Sequence, residues 1–413
     1  MSRTDADRGA DVDAQPAKSA ERRALGVAAG AHVVHDGYSD LLYVLLPVWQ
    51  AEFGLGYAEV GLLRGAYMGA MSACQIPVAH VADRLGPTGV LAGGTLLAGA
   101  CFLLAGLSTG FGTLLAALLI GGIGAAVQHP IASAMVAAAF DGAKSRAALG
   151  FYNFTGDIGK VALPAATAML LTVLAWRPTL WVLAGAGVIA AMLILLLAPQ
   201  RPRSLRADAE SGVTSGQEGG TARPPSGRGP RRGFALLFGI SLIDSAGRMG
   251  FLMFLPFLLQ AKGASLATIG LGLSLVFAGG AAGKLLCGYL GARLGVLATV
   301  VLTEGLTTAG ILLLLPVSLE AALLLLPAIG AALNGTSSVL YGTVPELVEP
   351  EKRTRAFGIF YTGVAGSAAL APIPFGILGD AFGIAAATQA IAFVVLLTIP
   401  LAVLLNPLLP KGR

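Results

Sequence analysis

Charge is what this sequence has least of. Only 12% of its 413 residues are Asp, Glu, Lys or Arg, against 55% hydrophobic, whereas a water-soluble domain carries about a quarter charged residues. That shortfall excludes an aqueous globular fold, because no soluble core absorbs so much apolar sequence. Cysteine is scarcer still. Cys74, Cys101 and Cys287 each lie inside apolar runs, at spacings that suit neither a disulfide framework nor a zinc site. There is no Gly-x-x-x-x-Gly-Lys-Ser/Thr loop, which argues against ATP drive. Neither a Ser/His/Asp nor a Cys/His arrangement is present, so no enzyme chemistry, resident metal or cofactor beyond a proton gradient is expected. The net charge of +5 is no nucleic-acid footprint. No secretory apolar core precedes the first hydrophobic run, so that run is expected to serve as its own insertion signal.

What the chain does have is long apolar runs. About 20 such residues cross a bilayer as a helix. Twelve runs qualify, near 24–51, 57–82, 88–107, 113–140, 146–173, 178–198, 234–260, 266–290, 296–317, 320–345, 354–378 and 381–407. The expected plan is all-α: a disordered cytoplasmic tail over 1–23, a six-helix bundle over 24–198, a disordered linker over 199–233, a second bundle over 234–407 and a short tail over 408–413. The linker is rich in Arg, Pro, Gly and Ser and has too little apolar surface to fold. The tails, the linker and the loops on their side hold 21 of the 27 Lys and Arg residues. The opposite side holds Arg177 and Lys262. Both termini and the linker are therefore expected in the cytoplasm, with the bundles in the plasma (inner) membrane, embedded in lipid as a monomer.

The two bundles resemble each other. Residues 47–86 align with 256–295 without a gap, pairing Pro47 with Pro256 and Arg84-Leu85-Gly86 with Arg293-Leu294-Gly295. Gly124–Gln128 likewise matches Gly330–Asn334. Six-helix repeats of this kind place a substrate site between them near the midplane.

The loop Ala79-His-Val-Ala-Asp83-Arg84-Leu-Gly86 resembles the major facilitator signature, with Ala79 and Pro87 departing from it. That resemblance implies the major facilitator fold, a secondary transporter with twelve transmembrane helices in two pseudo-symmetric bundles, with Asp83, Arg84, Gly86 and the second-half Arg293 as gating residues. A narrower similarity, to the fosmidomycin-resistance-like drug exporters, rests on His32-x-x-x-Asp36, Leu45-Leu46-Pro47 and Gly122-Ile-Gly124-x-x-x-x-His129-Pro130. It implies efflux by a proton antiporter. The fifth run carries Leu163-Pro164 where many antiporters have Gly-Pro.

Ionisable groups at the bilayer centre cost at least ~2.5 kcal/mol each, so those present are functional candidates. His32, Asp36, Asp40 and Tyr43 share one helical face by their spacing, and imidazole beside carboxylate suits proton exchange near neutrality. Asp157, Asp244 and Glu304 complete the proton-handling set. Asp157 and Lys160, and Asp244 and Arg248, are near enough on their helices to pair with each other instead. Substrate contacts are expected from His35, Tyr38, Tyr43, Gln128, His129, Asn153, Lys160, Arg248, Asn334 and Tyr361. Arg248 is the best match for an anionic group, because its planar fork binds two oxygens at once. The working expectation is proton-coupled export of a small amphipathic or anionic compound. Its rivals are uptake of a small organic anion, transport of a transition metal or metallophore at His32, His35, Asp36 and Asp40, and a non-transporting membrane scaffold, which would need a soluble module that is missing. The charge asymmetry predicts that a cysteine placed within 205–228 resists impermeant thiol reagents in sealed cells; external labelling there would reverse the orientation.

Overall fold

The computed structural model describes residues 3–199, 228–349 and 352–409. Among these the chain is helical throughout. The first half comprises α1 (Arg3–Phe53), α2 (Tyr57–Leu85), α3 (Pro87–Gly106), α4 (Phe111–Ala125), α5 (Ser133–Ala139), α6 (Gly142–Val173) and α7 (Trp176–Leu197). The second comprises α8 (Arg228–Ala261), α9 (Leu266–Leu313), α10 (Leu319–Leu347), α11 (Arg353–Leu370), α12 (Pro372–Leu396) and α13 (Thr398–Leu405). α4 and α5 form one pass through the π-helical turn Gln128–Ala132, and α9 and α12 each break at a glycine, Gly295 and Gly383. Cut at those glycines, with α11 continuing into α12 and α12 into α13, the described helices make twelve passes. Eight helical segments are long and apolar enough by composition alone to cross a bilayer. α1 and α2 fall outside that set, as expected of helices that carry charges into the interior.

Two expected boundaries move. Residues 3–23 are helical and continuous with α1 rather than a disordered tail. A span that is already nucleated extends at little cost into flanking sequence that contains several Ala and Arg residues. The last residues assigned to the linker, 228–233, open α8. The rest of the expected linker, 200–227, and the end of the C-terminal tail, 410–413, lie outside the described residues.

The internal repeat has a structural counterpart. Gly86 and Gly295, aligned in the two halves, both adopt positive φ, 91° and 79°. A side chain is strained in that conformation, and each glycine turns the chain from one pass into the next.

The halves pack closely at one end. Near the α1–α2 turn, Gly61 packs on the backbone of Pro372, and Gly376 packs on the backbone of Tyr57; a Cβ at either would collide with main chain. Ser274 of α9 donates to the carbonyl of Val161 in α6 at 2.7 Å. α2 begins at Gly56, which has no side chain to cap the helix. Its first N–H groups are met from the other half instead. The Asp380 carboxylate accepts from Tyr57 at 2.5 Å and from Ala58 at 2.9 Å. A carboxylate at a helix N-terminus gains both hydrogen bonds and a favourable dipole. Among the described residues no inter-half hydrogen bond lies toward the α2–α3 turn, so the molecule is closed at the α1–α2 end and parts toward the other. Replacing Asp380 by Ala removes two charge-assisted hydrogen bonds, each worth ~1.5–3 kcal/mol when dry and less at this exposed position. The closed end is then expected to open about tenfold more often, read as a longer spin-label distance between positions 58 and 377. An unchanged distance distribution would remove Asp380 from the latch.

Candidate functional site

A cavity of about 150 Å³ lies between the halves, lined by Asp36 and Asp40 of α1, Arg64 of α2, Asp157 and Lys160 of α6, Arg248 of α8 and Lys284 of α9, with His129 and Asn334 beside them. Helical periodicity puts these groups there. The 36/40 spacing in α1 and the 157/160 spacing in α6 each place two charged side chains on one face. Gly156 of α6 lies against His32 and Asp36, where any Cβ would strike them; its absence brings α6 close to α1.

The charges are paired in a chain. Asp36 meets Lys160 at 3.2 Å and His32 at 3.3 Å, with His129 at 3.9 Å. Lys160 also approaches Asp157, at 3.8 Å, but Asp157 is held more closely by Lys284 from the opposite half, at 2.6 Å. Asp40 pairs with Arg64 at 3.5 Å, and that guanidinium lies 4.6 Å from the centre of the Tyr43 ring. Three carboxylates thus face three cations. The expected local Asp157–Lys160 pair is present and is joined by a closer inter-half one, because α9 packs directly along α6.

Histidine roles follow from their hydrogen bonds. His32 Nδ1 lies 2.8 Å from the Tyr152 carbonyl. A carbonyl only accepts, so Nδ1 carries a proton. In neutral His32 the Nε2 that faces Asp36 is then bare, and this edge is where a further proton can lodge. Thr95 gives its hydroxyl proton to the Leu91 carbonyl, so it accepts from His35 Nε2 at 2.9 Å. His35 is therefore a donor at Nε2, buried against α3, away from the cavity.

Of the other sequence-derived candidates, Tyr38 also faces away, donating to the Leu183 carbonyl of α7, and Gln128 is buried and donates to the Tyr152 hydroxyl at 3.3 Å. Residues on one helix have several faces, and in α1 the faces bearing His35 and Tyr38 meet α3 and α7. Tyr43 is fully buried under Arg64 and donates to Met249 at 3.5 Å. Asn153 and Tyr361 are exposed and do not line the cavity, Tyr361 stacking on Tyr341. Asp244 and Glu304 are buried behind the cavity wall. Among the described residues Asp244 forms no ion pair with Arg248 within 4 Å; the Arg248 side chain turns into the cavity, its Nε without a partner. Asp83 and Arg84, in the last turn of α2 before Gly86, form no ion pair among the described residues, and Arg293 lies over the Tyr289 ring at 4.5 Å. Arg64 and Lys284, by sequence single charges within apolar runs that could reach acids across the bundle, do so; Met68, Met71 and Met249, which line the wall, carry no signal in the sequence.

The family model for the Major Facilitator Superfamily matches residues 28–234 and 237–413. The chain belongs to the Major Facilitator Superfamily. As members of that superfamily are transporters, it is at family level a multi-pass membrane transporter and not an enzyme. Among curated relatives, it is 25% identical over 400 residues to the fosmidomycin resistance protein of Escherichia coli, covering 94% of this chain and 93% of that one. It is 27% identical over 164 residues to an uncharacterized MFS-type transporter of Mycobacterium tuberculosis, a match that spans 40% of this chain and only 28% of that longer protein. Two inward-facing crystal structures of a bacterial homologue of the human lysosomal transporter Spinster superimpose with TM-scores of 0.74 (occupied) and 0.77 (unoccupied). Their identities are 17% and 18%, and they cover 93% and 95% of this chain and 96% and 98% of theirs. They share the major facilitator fold. The proline-interrupted fourth pass of this family member is resolved as a π-helical turn at Gln128–Ala132, a device that re-aims side chains at functional sites; here it presents His129 to Asp36.

Breaking a buried ion pair by removing one partner costs about 3–5 kcal/mol. Arg64→Gln, which strands Asp40, is expected to lower detergent stability by several degrees. The double variant Asp40→Asn/Arg64→Gln should recover most of it. Additive losses in that thermal-shift cycle would show that the two groups are not a pair.

Proposed function

We propose that this chain is a proton-coupled secondary active transporter, working by alternating access, that exports a small amphipathic or anionic compound. The observation that carries the reading is the Lys284–Asp157 ion pair, which joins the two halves at the cavity. Whatever neutralises Asp157 or competes for Lys284 loosens the halves, so binding and rocking share one set of charges. His32 Nε2 and Asp36 supply the edge where a proton adds, next to Lys160. A proton there weakens the hold of Asp36 on Lys160 and passes along the chain to the inter-half pair.

With the Lys/Arg-rich loops in the cytoplasm, the parted end faces inward, as required to load a compound for export. Similarity to the fosmidomycin resistance protein supports efflux. Arg248, whose Nε has no hydrogen-bond partner among the described residues, favours with Lys160 and Lys284 around the same cavity an anionic group on the cargo. Uptake of a small organic anion would use the same cations and is the second reading. The transition-metal reading draws on His32, His35, Asp36 and Asp40, whereas the residues whose ligand atoms lie within 4.8 Å of one another are His32, Asp36 and His129. The Lys160 ammonium at 3.2 Å already neutralises that carboxylate, so the cluster fits protons better.

Inside-out vesicles carrying a pH-sensitive dye test the proposal. Adding a transported compound should move protons in wild type, and Asp36→Asn should abolish uphill transport while leaving the protein folded. Arg248→Lys should weaken anionic compounds by roughly tenfold, about 1.4 kcal/mol, and Arg248→Ala more, with neutral compounds less affected. Uphill transport by Asp36→Asn, or equal losses for neutral and anionic compounds in Arg248→Ala, would overturn the respective role.

A further inference from the structure

Besides its charges, the cavity has an apolar lining that the ion-pair chain does not use. Met68 and Met71 of α2 are three residues apart and share one helical face, as do Met249 and Leu252 of α8. With Phe277 of α9 they line the cavity from both halves. Leu252 and Phe277 are buried in the core, and the three methionines are partly buried against it. The Tyr43 hydroxyl donates to the Met249 sulfur at 3.5 Å, and the Tyr43 ring lies 4.6 Å from the Arg64 guanidinium. The apolar lining therefore adjoins the charged one. Leucine would fill the same space, but methionine adds an unbranched, polarisable side chain that adapts to a flat ring and makes favourable sulfur–aromatic contacts.

Volume and charge define what fits. The cavity measures about 150 Å³, the size of an engineered apolar cavity that holds one benzene molecule, so the apolar part of a ligand is ring-sized. Among the described residues that line it, four cations face three carboxylates. The cation left over is Arg248, which forms no ion pair within 4 Å among the described residues and whose Nε has no hydrogen-bond partner there. With His129 neutral, one negative charge balances the lining. A neutral compound would leave Arg248 unbalanced, and a dianion would overshoot. A planar guanidinium binds the two oxygens of a carboxylate together.

We propose that Met68, Met71 and Met249 are the specificity-determining surface of this cavity, and that it takes a small aromatic monocarboxylate, with the carboxylate on Arg248 and the ring on the methionines. This narrows the cargo of the export reading to one charge and one ring; it rests on that reading for transport, though not for binding. α2 belongs to the first half and α8 to the second, so a ring held between their methionines touches both. The cargo then bridges the halves by packing, as Lys284 and Asp157 do by charge.

Titration calorimetry on the purified full chain tests this with benzoate, acetate, benzyl alcohol and phenylphosphonate, at an alkaline pH where the phosphonate is doubly charged. Benzoate should bind about tenfold more tightly than each of the others, or better. Met68→Ala/Met71→Ala should cut the preference for benzoate over acetate about tenfold, through lost ring contacts, and leave acetate unchanged. Met68→Leu/Met71→Leu keeps an apolar wall and should retain most of the preference. Should the alanine variant fail to fold, Met68→Gln/Met71→Gln, similar in size but polar, must lose it. Benzoate binding no more tightly than any of the other three, or a preference that survives the alanine or glutamine variant, overturns the proposal. If benzoate binds as expected but moves no protons in wild-type vesicles, the pocket stands and proton-coupled transport falls. If the vesicles couple protons to a compound that benzoate does not displace, the transport reading stands and this assignment falls.

Discussion

The structure depends on one constraint: charge within a low-dielectric interior must be neutralised by a neighbour or by a proton. In water an ion pair at 3–4 Å contributes about a kilocalorie or less. Within lipid the alternative to pairing is an unpaired ion, and the groups of the cavity are arranged accordingly. Asp36, Asp40 and Asp157 are matched by Lys160, Arg64 and Lys284 at 2.6–3.5 Å. Because Lys284 comes from the second half, neutrality of the first depends on how the halves sit. Electrostatics and conformation are thus one variable.

The same constraint organises the ends of the molecule. Gly56 leaves α2 without a side-chain cap, and Asp380 supplies one from across the interface. The α1–α2 end therefore gains by closing, through helix N–H groups that would otherwise need water. Tight glycine contacts at Gly61 and Gly376 let the backbones approach. Small residues provide such packing in membranes, where hydrophobic burial contributes nothing between helices already in lipid. The opposite end carries no inter-half hydrogen bond among the described residues, which leaves the cavity reachable from that side.

Much of this was legible in the chain. Hydrophobic length gave the passes, the offset repeat gave the halves, and the spacing of His32, Asp36 and Asp40 marked the polar face of α1. Gly86 and Gly295 could be matched before their positive φ values were known. Legibility stopped at faces that are equivalent by sequence. His35 and Tyr38 sit in the same polar cluster as Asp36 yet turn to α3 and α7. Arg64 and Lys284 stood as isolated charges, since their partners lie on other helices and, for Lys284, in the other half.

By itself the sequence determined that the chain lives in lipid, that it folds as two related helical halves, and that a handful of ionisable groups are buried there. Those follow from composition and periodicity, which are local and additive along the chain. Only the tertiary structure decided which carboxylate meets which cation, that Asp157 meets Lys284 from the other half, and that Asp380 caps α2. Helix i, i+3 and i, i+4 neighbours are always available as partners, but packing chooses among them according to which helix supplies the nearer charge. That choice depends on distances of a few ångströms between segments more than a hundred residues apart.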